Sequence, residues 1–439
     1  MKRLTTSPSS QLHAWREWLG INSSTFALLG AILLVTAATE LWSPLMPQYL
    51  KTLKTRALAG DAWIILFIGL YGFYRDALEA VNYYAGGAIA GRFNTRRSLL
   101  LFNILPLVGL ILLYFWTSWA AVFVAIPFIF VWDSIAGPAT ITVVGDSVPA
   151  ARRTMAFSLQ SIFRRMSRML AYLISGLMVW GWGEVEGVRA DLLVSIGLIL
   201  IAIGVQYRFM RTASRDRVVA LRNPMELFRR FSPELRRLLM ADIFARWAEG
   251  LAGPFIIIYC VPILAAEVEK GMSLYQAVLL NIQAVTNIVL YVLIGPLASR
   301  EGLAKKPYIG LTFLFFALFP LSLAVLGPAG GFWGLAIAFV IGGFREIGEP
   351  ARKAMIADLV PPDVRTQAVG LYWSARSAAV MGASPVGAAI WILADRFRPG
   401  SGPIATFTTA GTLGLIGAAL FYLRFGQPTK EIRRSIGTF

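Results

Sequence analysis

The chain of 439 residues has a single cysteine, a single histidine and few charged residues. Cys260 has no second cysteine to pair with, which excludes an internal disulfide and a cysteine-based metal site. His13 lies in the polar N-terminal segment, so a membrane-embedded enzyme with a histidine-assisted nucleophile is not favoured. No Gly-x4-Gly-Lys-Ser/Thr phosphate loop occurs, which argues against ATP as an energy source. We therefore expect no enzyme activity, no metal and no cofactor.

Hydrophobic residues make up 57% of the chain and charged residues only 15%. A soluble domain has typically about 45–50% apolar and about 25% charged residues, so lipid must cover part of this apolar surface. The net charge is +17. Its basic residues lie between apolar runs, without the basic stripe and interleaved aromatic residues of a nucleic-acid interface. The expected partner is therefore the lipid bilayer and not nucleic acid.

Twelve apolar stretches have the length of a membrane span. Proline and glycine recur within them, which membrane helices tolerate where neighbours or a wet cavity satisfy the freed backbone groups. The predicted spans are 24–48, 63–90, 98–117, 119–143, 156–180, 190–208, 238–264, 273–298, 307–326, 332–356, 366–393 and 404–424.

Lysine and arginine are distributed unequally between the two sides of these spans. If the N-terminus is cytoplasmic, 27 of the 41 basic residues lie in cytoplasmic segments or at the cytoplasmic ends of the adjoining spans, and 7 lie in outer loops. Basic residues are retained on the cytoplasmic side of membrane proteins. We expect an integral, multi-pass protein of a bacterial inner membrane with both termini in the cytoplasm.

A repeat relates the two halves of the chain. Laying residues 135–164 over 347–376 gives eleven identities in thirty positions, where chance would supply roughly two. Both copies contain an Asp-x-Val-Pro sequence followed by Arg-Thr-x-Ala, 212 residues apart. A doubled membrane unit is typical of carriers. The predicted organisation is an N-terminal tail (1–23), an N-terminal six-helix bundle (24–207), a basic central loop (208–237), a C-terminal six-helix bundle (238–426) and a C-terminal tail (427–439).

The central loop carries nine arginines. Asn223 followed by Pro224 predicts a helix N-terminus, so 225–231 is expected to form a short surface helix. Phe228 and Phe231 are candidates to enter the lipid headgroups. The alternative is a solvated linker whose charge only orients the protein.

Twelve spans in two sets of six, with a repeat and a long basic central loop, resemble the major facilitator superfamily. The loop after span 2 is similar to the signature of that family, and the loop after span 8 repeats it, although Gly91 and Ser299 stand where the family has an aspartate. The resemblance implies an all-α fold of two pseudo-symmetric six-helix bundles. It also implies a set of cytoplasmic gating residues, among which the acids and bases are expected to form structural ion pairs: Gly87, Arg92, Asp146, Arg153, Gly295, Arg300, Asp358 and Arg365.

Charged residues inside the spans are the candidates for the substrate and proton pathway, because a charge in hydrocarbon is costly unless it faces a cavity or a partner. The repeat makes Asp133 equivalent to Arg345, and Arg164 equivalent to Arg376. The alternative is that these groups neutralise one another as structural pairs. The candidates are Glu40, Arg75, Asp76, Glu79, Asp133, Arg164, Arg246, Glu249, Arg345, Glu346 and Arg376.

Three of these candidates lie close together on span 2. Arg75 points about 100° away from Asp76 on a helix, so it is not required to be its partner. Glu79 is four residues after Arg75, the spacing of a helical ion pair.

Arg345 and Arg376 keep their charge at physiological pH, because a guanidinium has a pKa above about 12. Each must therefore have a permanent partner, such as Asp133 or Glu346, or bind an anionic group of the substrate.

The predicted function is a monomeric secondary active transporter that moves a small organic solute by alternating access. Proton coupling is expected, since a buried carboxylate can bind and release a proton as its surroundings change. Family frequency favours efflux of an amphipathic or drug-like compound by antiport. The alternatives are proton-coupled uptake of an organic anion or metabolite, and a transporter-like receptor or assembly protein without transport.

Overall fold

A computed structural model of the chain describes most of its length. The described residues are 23–55, 61–92, 95–129, 153–209, 223–265, 272–298, 306–360 and 364–424, with three single positions between 130 and 152. All regular structure in these residues is helical, in agreement with the predicted all-α fold.

The described helices overlap all of the predicted spans. They are α1 (Ser23–Glu40), α2 (Met46–Thr55), α3 (Asp61–Arg92), α4 (Thr95–Phe115), α5 (Trp119–Ile129), α6 (Arg153–Phe209), α7 (Pro224–Arg229), α8 (Pro233–Ala252), α9 (Ile256–Ala265), α10 (Met272–Ala298), α11 (Lys306–Phe344), α12 (Glu349–Asp358), α13 (Arg365–Val380), α14 (Ala383–Phe397) and α15 (Gly402–Arg424). Short 3-10 turns, Ser43–Leu45 and Gly253–Phe255, precede α2 and α9.

Six helical segments of the described residues are long and apolar enough to cross a membrane. Two helices run through more than one predicted span: α6 contains spans 5 and 6, and α11 contains span 9 and the first part of span 10. The chain leaves helical geometry in α6 at Gly183 (φ 79°) and in α11 at Gly331 (φ 53°), values that favour glycine. Because a side chain added at Gly187 would meet the backbone of Val179, the two parts of α6 fold back on each other.

Four predicted spans are interrupted, which the prediction of continuous helices did not include. Span 1 breaks between α1 and α2, span 7 between α8 and α9, span 10 between α12 and the end of α11, and span 11 between α13 and α14. A proline lies in each break or in the first turn of the helix that follows it, at Pro44, Pro254, Pro350 and Pro385. Proline lacks the backbone N–H that would continue the helical ladder, which explains these interruptions.

The predicted surface helix of the central loop is confirmed as α7. The side chain of Asn223 accepts a hydrogen bond from the backbone N–H of Met225 at 2.9 Å. The expectation that Phe231 enters the lipid headgroups is wrong, because Phe231 is buried beside Leu235 in an apolar cluster. Residues 210–222 of the loop lie outside the described part of the chain.

Helices of the N half (residues 24–207) pack directly on helices of the C half (238–426). The contacts join α3 to α13 and α14, and α6 to α10. Small residues permit close approach: a side chain at Gly72 would collide with Ser384, and one at Gly176 would collide with Ala277. These contacts enclose the space in which the candidate site lies.

Candidate functional site

A cavity of about 560 Å³ lies between the two halves of the chain. Its wall includes the breaks in spans 1 and 7, through Pro44 and Pro254. Seven basic and four acidic residues line it, which leaves the described wall with an excess of positive charge. They are Arg75, Arg164, Arg168, Arg246, Arg345, Lys353 and Arg376, and Asp76, Glu79, Glu249 and Glu349.

Eight of the eleven predicted pathway residues line this cavity. They are Arg75, Asp76, Glu79, Arg164, Arg246, Glu249, Arg345 and Arg376. Glu40 lies behind the wall, where it pairs with Arg168 at 2.5 Å and accepts a hydrogen bond from Tyr172 at 3.0 Å. Asp133 lies outside the described residues.

An ion pair on span 2 joins Arg75 to Asp76, a pairing that the sequence left open. Nε and Nη2 of Arg75 donate to Oδ1 of Asp76 at 3.0 and 2.9 Å, so neighbours in sequence form the ion pair. Adjacent residues on a helix point in directions about 100° apart, but the arginine side chain is long enough to reach the neighbouring carboxylate. Asp76 is therefore held by a cation on its own helix.

Glu346 connects the two halves of the chain. Its carboxylate pairs with Arg165 of α6 at 2.8 Å and accepts a hydrogen bond from Tyr291 of α10 at 2.7 Å. Glu346 and Arg345 both lie in the turn between α11 and α12, not in a continuous helix. The turn allows neighbouring side chains to point to different partners.

A buried network that the sequence analysis missed stands behind the cavity wall. Arg352 donates to Glu349 through Nε and Nη2 at 3.0 and 2.6 Å, and through Nη1 to Asp242. Tyr372 also donates to Asp242, at 3.2 Å. Asp242 is 0% and Arg352 1% exposed. Asp242 stands four residues before Arg246, a spacing that identifies it as a candidate partner on one helix face.

Arg345 is held mainly through neutral groups. Its Nε donates to the carbonyl of Gly342 at 3.0 Å, while Nη1 reaches Glu249 only at 3.4 Å. The guanidinium lies over the rings of Phe319 and Phe316, 4.5 and 5.3 Å from their centroids. Glu249 itself pairs more closely with Arg246, at 2.5 Å.

Arg376 is held mainly by an aromatic ring. Its guanidinium lies 4.0 Å from the centroid of Trp373. The nearest described carboxylate oxygen is on Asp242 at 3.9 Å, beyond hydrogen-bonding distance. Of the two predicted partners, Glu346 pairs with Arg165, and Asp133 lies outside the described residues. Glu249 and Asp242 are the nearest described acids to Arg345 and Arg376.

The predicted gating residues are described in part. Arg153 pairs with Asp358 at 2.6 Å and so joins the N half to the C half. Arg365 is buried at the start of α13. Gly87 and Arg92 lie in α3, and Gly295 lies in α10, but their surroundings are outside the described part, as are Asp146 and Arg300 altogether.

Comparison with known proteins identifies the family. The profile of the Major Facilitator Superfamily matches residues 28–344, most of the chain. The chain belongs to this superfamily. It is an integral multi-pass membrane protein of a superfamily of transporters, as the sequence resemblance predicted. No curated protein matches it closely enough to be counted as a relative.

Solved structures of superfamily transporters share the fold at low sequence identity. The xylose transporter XylE from E. coli, in a partially occluded inward-open conformation, is 16% identical, with a TM-score of 0.71 over 93% of this chain and 98% of that chain. The human organic anion transporter MFSD10 is 16% identical, with a TM-score of 0.63 over 91% and 99%. The nucleoside transporter NupG, in a mutant form, is 14% identical, with a TM-score of 0.65 over 92% and 100%.

Proposed function

We propose that this protein is a proton-coupled secondary active transporter that carries a small organic solute through the central cavity by alternating access. The structures to which it is similar are described as transporters of xylose, nucleosides and organic anions, all small organic solutes. The proposed role is transport and not catalysis, in a bacterial inner membrane with both termini cytoplasmic.

The ion pair between Arg165 and Glu346 is the observation that carries this proposal. It joins α6 of the N half to the turn before α12 of the C half, next to the cavity. An ion pair between two packed halves can hold them together or release them, depending on the charge of its acid. A transporter needs such a link, because its halves must separate on each side of the membrane in turn.

Protonation of Glu346 is the proposed coupling step. A neutral Glu346 no longer attracts the Arg165 guanidinium, so the link weakens and the halves can separate. The membrane potential alone supplies about 2.3 kcal/mol for each charge that crosses 100 mV. Asp76, held by Arg75 at the cavity wall, is the second described candidate for proton binding.

Proteoliposomes test both transport and coupling. Counterflow of radiolabelled xylose, uridine and benzoate measures exchange, and an imposed pH gradient measures accumulation. We expect wild-type protein to exchange at least one of these probes, and Glu346→Gln to retain exchange while it loses gradient-driven accumulation. A Glu346→Gln protein with full accumulation would remove this residue from the coupling step.

A matched control is available on the surface of the molecule. Glu226 pairs with Arg230 on α7, where both side chains are exposed. Glu226→Gln removes the same charge far from the cavity and should change neither exchange nor accumulation. Absence of counterflow for every probe would contradict the transporter proposal and favour a receptor or assembly role.

Efflux, favoured by family frequency, stays a prediction within this proposal. Inside-out vesicles under pH gradients of opposite polarity distinguish antiport from symport. Accumulation in inside-out vesicles driven by an acidic lumen is the result expected for antiport.

A further inference from the structure

The arginines around the cavity fall into two groups according to how they are held. Arg352 makes three charge-assisted hydrogen bonds to two carboxylates and is almost fully buried. Arg246 donates to Glu249 at 2.5 Å. The ion pairs of Arg352 and Arg246 therefore assign these two residues a structural role. Arg345 and Arg376 lack such close contacts with the described acids, and both line the cavity.

The hydrogen-bonding capacity of the two cavity arginines is largely unused within the described residues. A guanidinium has five N–H donors. Arg345 uses Nε on a carbonyl and one Nη1 donor in a long contact with Glu249. Arg376 makes no hydrogen bond to a described residue, and the nearest acid oxygen, on Asp242, already accepts from Arg352 and Tyr372.

The aromatic rings beneath the two guanidinium groups orient them. Phe319 lies under Arg345 and Trp373 under Arg376, and both rings line the cavity. A cation over a ring face is attracted by the ring quadrupole, but the ring accepts none of the in-plane N–H donors. These contacts therefore hold the two groups beside the rings, while the N–H donors that no described residue accepts stay available to a ligand.

The charge balance points to the same two residues. A cluster of ion pairs in the C half also includes Arg165 of the N half. It contains six basic side chains, and only four carboxylates of the described residues neutralise them. An arginine cannot discard its charge by losing a proton. Uncompensated charge within a membrane is costly, so a negative group that enters the cavity would be stabilised.

We propose that Arg345 and Arg376 form the binding site for an anionic group of the substrate, a carboxylate or a phosphate. The apolar part of the substrate lies against Phe339, Ile257 and Leu280, which line the same cavity. The substrate class is thus an amphipathic organic anion. This inference rests on the proposed transport function, but the site itself is tested by binding.

The first experiment measures stability without ligand, so it does not depend on the identity of the substrate. Each arginine is replaced in turn by glutamine, and thermal unfolding is followed in detergent. Arg345→Gln and Arg376→Gln should melt at or above the wild-type temperature, because they remove uncompensated charge. Arg352→Gln should melt lower or fail to fold, since it leaves Asp242 and Glu349 buried without their cation. Equal destabilisation by all three variants would assign Arg345 and Arg376 to the structural group and overturn the proposal.

The second experiment measures binding with matched pairs of probes. Benzoate is compared with benzamide, and phenyl phosphate with phenol, by ligand-induced thermal shift. Wild-type protein should be stabilised by the anions and not by their neutral analogues. Arg345→Gln and Arg376→Gln should each bind the anions about tenfold more weakly or worse, as expected for the loss of charge-assisted hydrogen bonds. Arg189→Gln removes a half-buried arginine outside the cavity and should bind as wild type does.

The outcomes separate the binding site from the transport function. Wild-type protein that shows no preference for anions over neutral analogues overturns the anion site, even if it transports xylose or uridine. Anion binding that is lost in the two glutamine variants supports the site, even if counterflow fails and the transporter proposal falls. Lysine variants add a further check, since Arg345→Lys keeps the charge but loses the planar donor edge and should also bind more weakly.

Discussion

At the scale of single residues, the partners of a buried acid determine what the acid contributes. Asp242 and Asp191 are both 0% exposed. Asp242 binds Arg352 and Tyr372, whereas the only side-chain partner of Asp191 among the described residues is the hydroxyl of Ser175, at 2.7 Å. Two acids with the same burial thus have opposite electrostatic surroundings, and substitution should distinguish them.

We expect Asp242→Asn to destabilise the protein by about 3–5 kcal/mol, because it leaves the Arg352 guanidinium buried without sufficient negative charge. Thermal unfolding of the purified protein in detergent measures the effect. Asp191→Asn is the matched control: its amide can still accept from Ser175, and no described cation pairs with it. A melting temperature that falls equally in both variants would contradict this account of the network.

At the scale of elements, glycines determine where the long helices reverse. Gly331 has φ 53° and ψ −133°, a conformation that a residue with a side chain adopts only with strain. Its neighbour Gly330 has no positive φ, and a side chain there would meet no described atom within 4 Å. The reversal within α11 is thus localised to one of two adjacent glycines.

Gly331→Ala should therefore lower the stability of the protein by about 1–3 kcal/mol, the usual cost of a strained backbone conformation. Gly330→Ala should be neutral or slightly stabilising, since alanine restricts the unfolded chain and fits the helix. The melting temperatures of the two variants, measured in the same detergent, test this prediction. If the two substitutions have the same effect, the backbone conformation at Gly331 does not control the reversal.

At the scale of the whole molecule, we expect ion pairs between the halves to influence the balance of conformations. The Arg153–Asp358 pair is partly exposed, with 15% and 32% of the side-chain surfaces accessible. Such pairs contribute about 0–1 kcal/mol, too little to affect folding but enough to change a conformational equilibrium several-fold.

Arg153→Glu should open the predicted cytoplasmic side of the cavity without lowering the melting temperature by more than a few degrees. Alkylation of Ser377→Cys, a cavity position, by an impermeant maleimide in inside-out vesicles reports the opening, in a Cys260→Ala background. We expect labelling to become up to about fivefold faster. The double variant Arg153→Glu with Asp358→Arg restores the attraction and should restore slow labelling. A double variant that is labelled as fast as the single variant would contradict the proposed role of this ion pair.

The sequence by itself determined the class of the fold. The length of the apolar stretches and the distribution of lysine and arginine reflect the bilayer, and the bilayer constrains each segment independently of the rest of the chain. The Asp-x-Val-Pro repeat and the loop signatures led to the superfamily, and the profile match confirmed it. The charged positions inside the spans also identified most of the charged cavity wall, since a buried charge in a membrane requires a special environment.

Only the tertiary structure decided which charged groups meet. Arg352 and Asp242 are 110 residues apart in sequence, and Arg165 and Glu346 are on different halves, so no local pattern predicts these pairs. At the breaks between helices, side chains point in directions that helical periodicity does not predict, as at Arg345 and Glu346. Whether an arginine keeps free N–H donors depends on every neighbour within a few ångströms. Only the packing of distant segments brings those neighbours together.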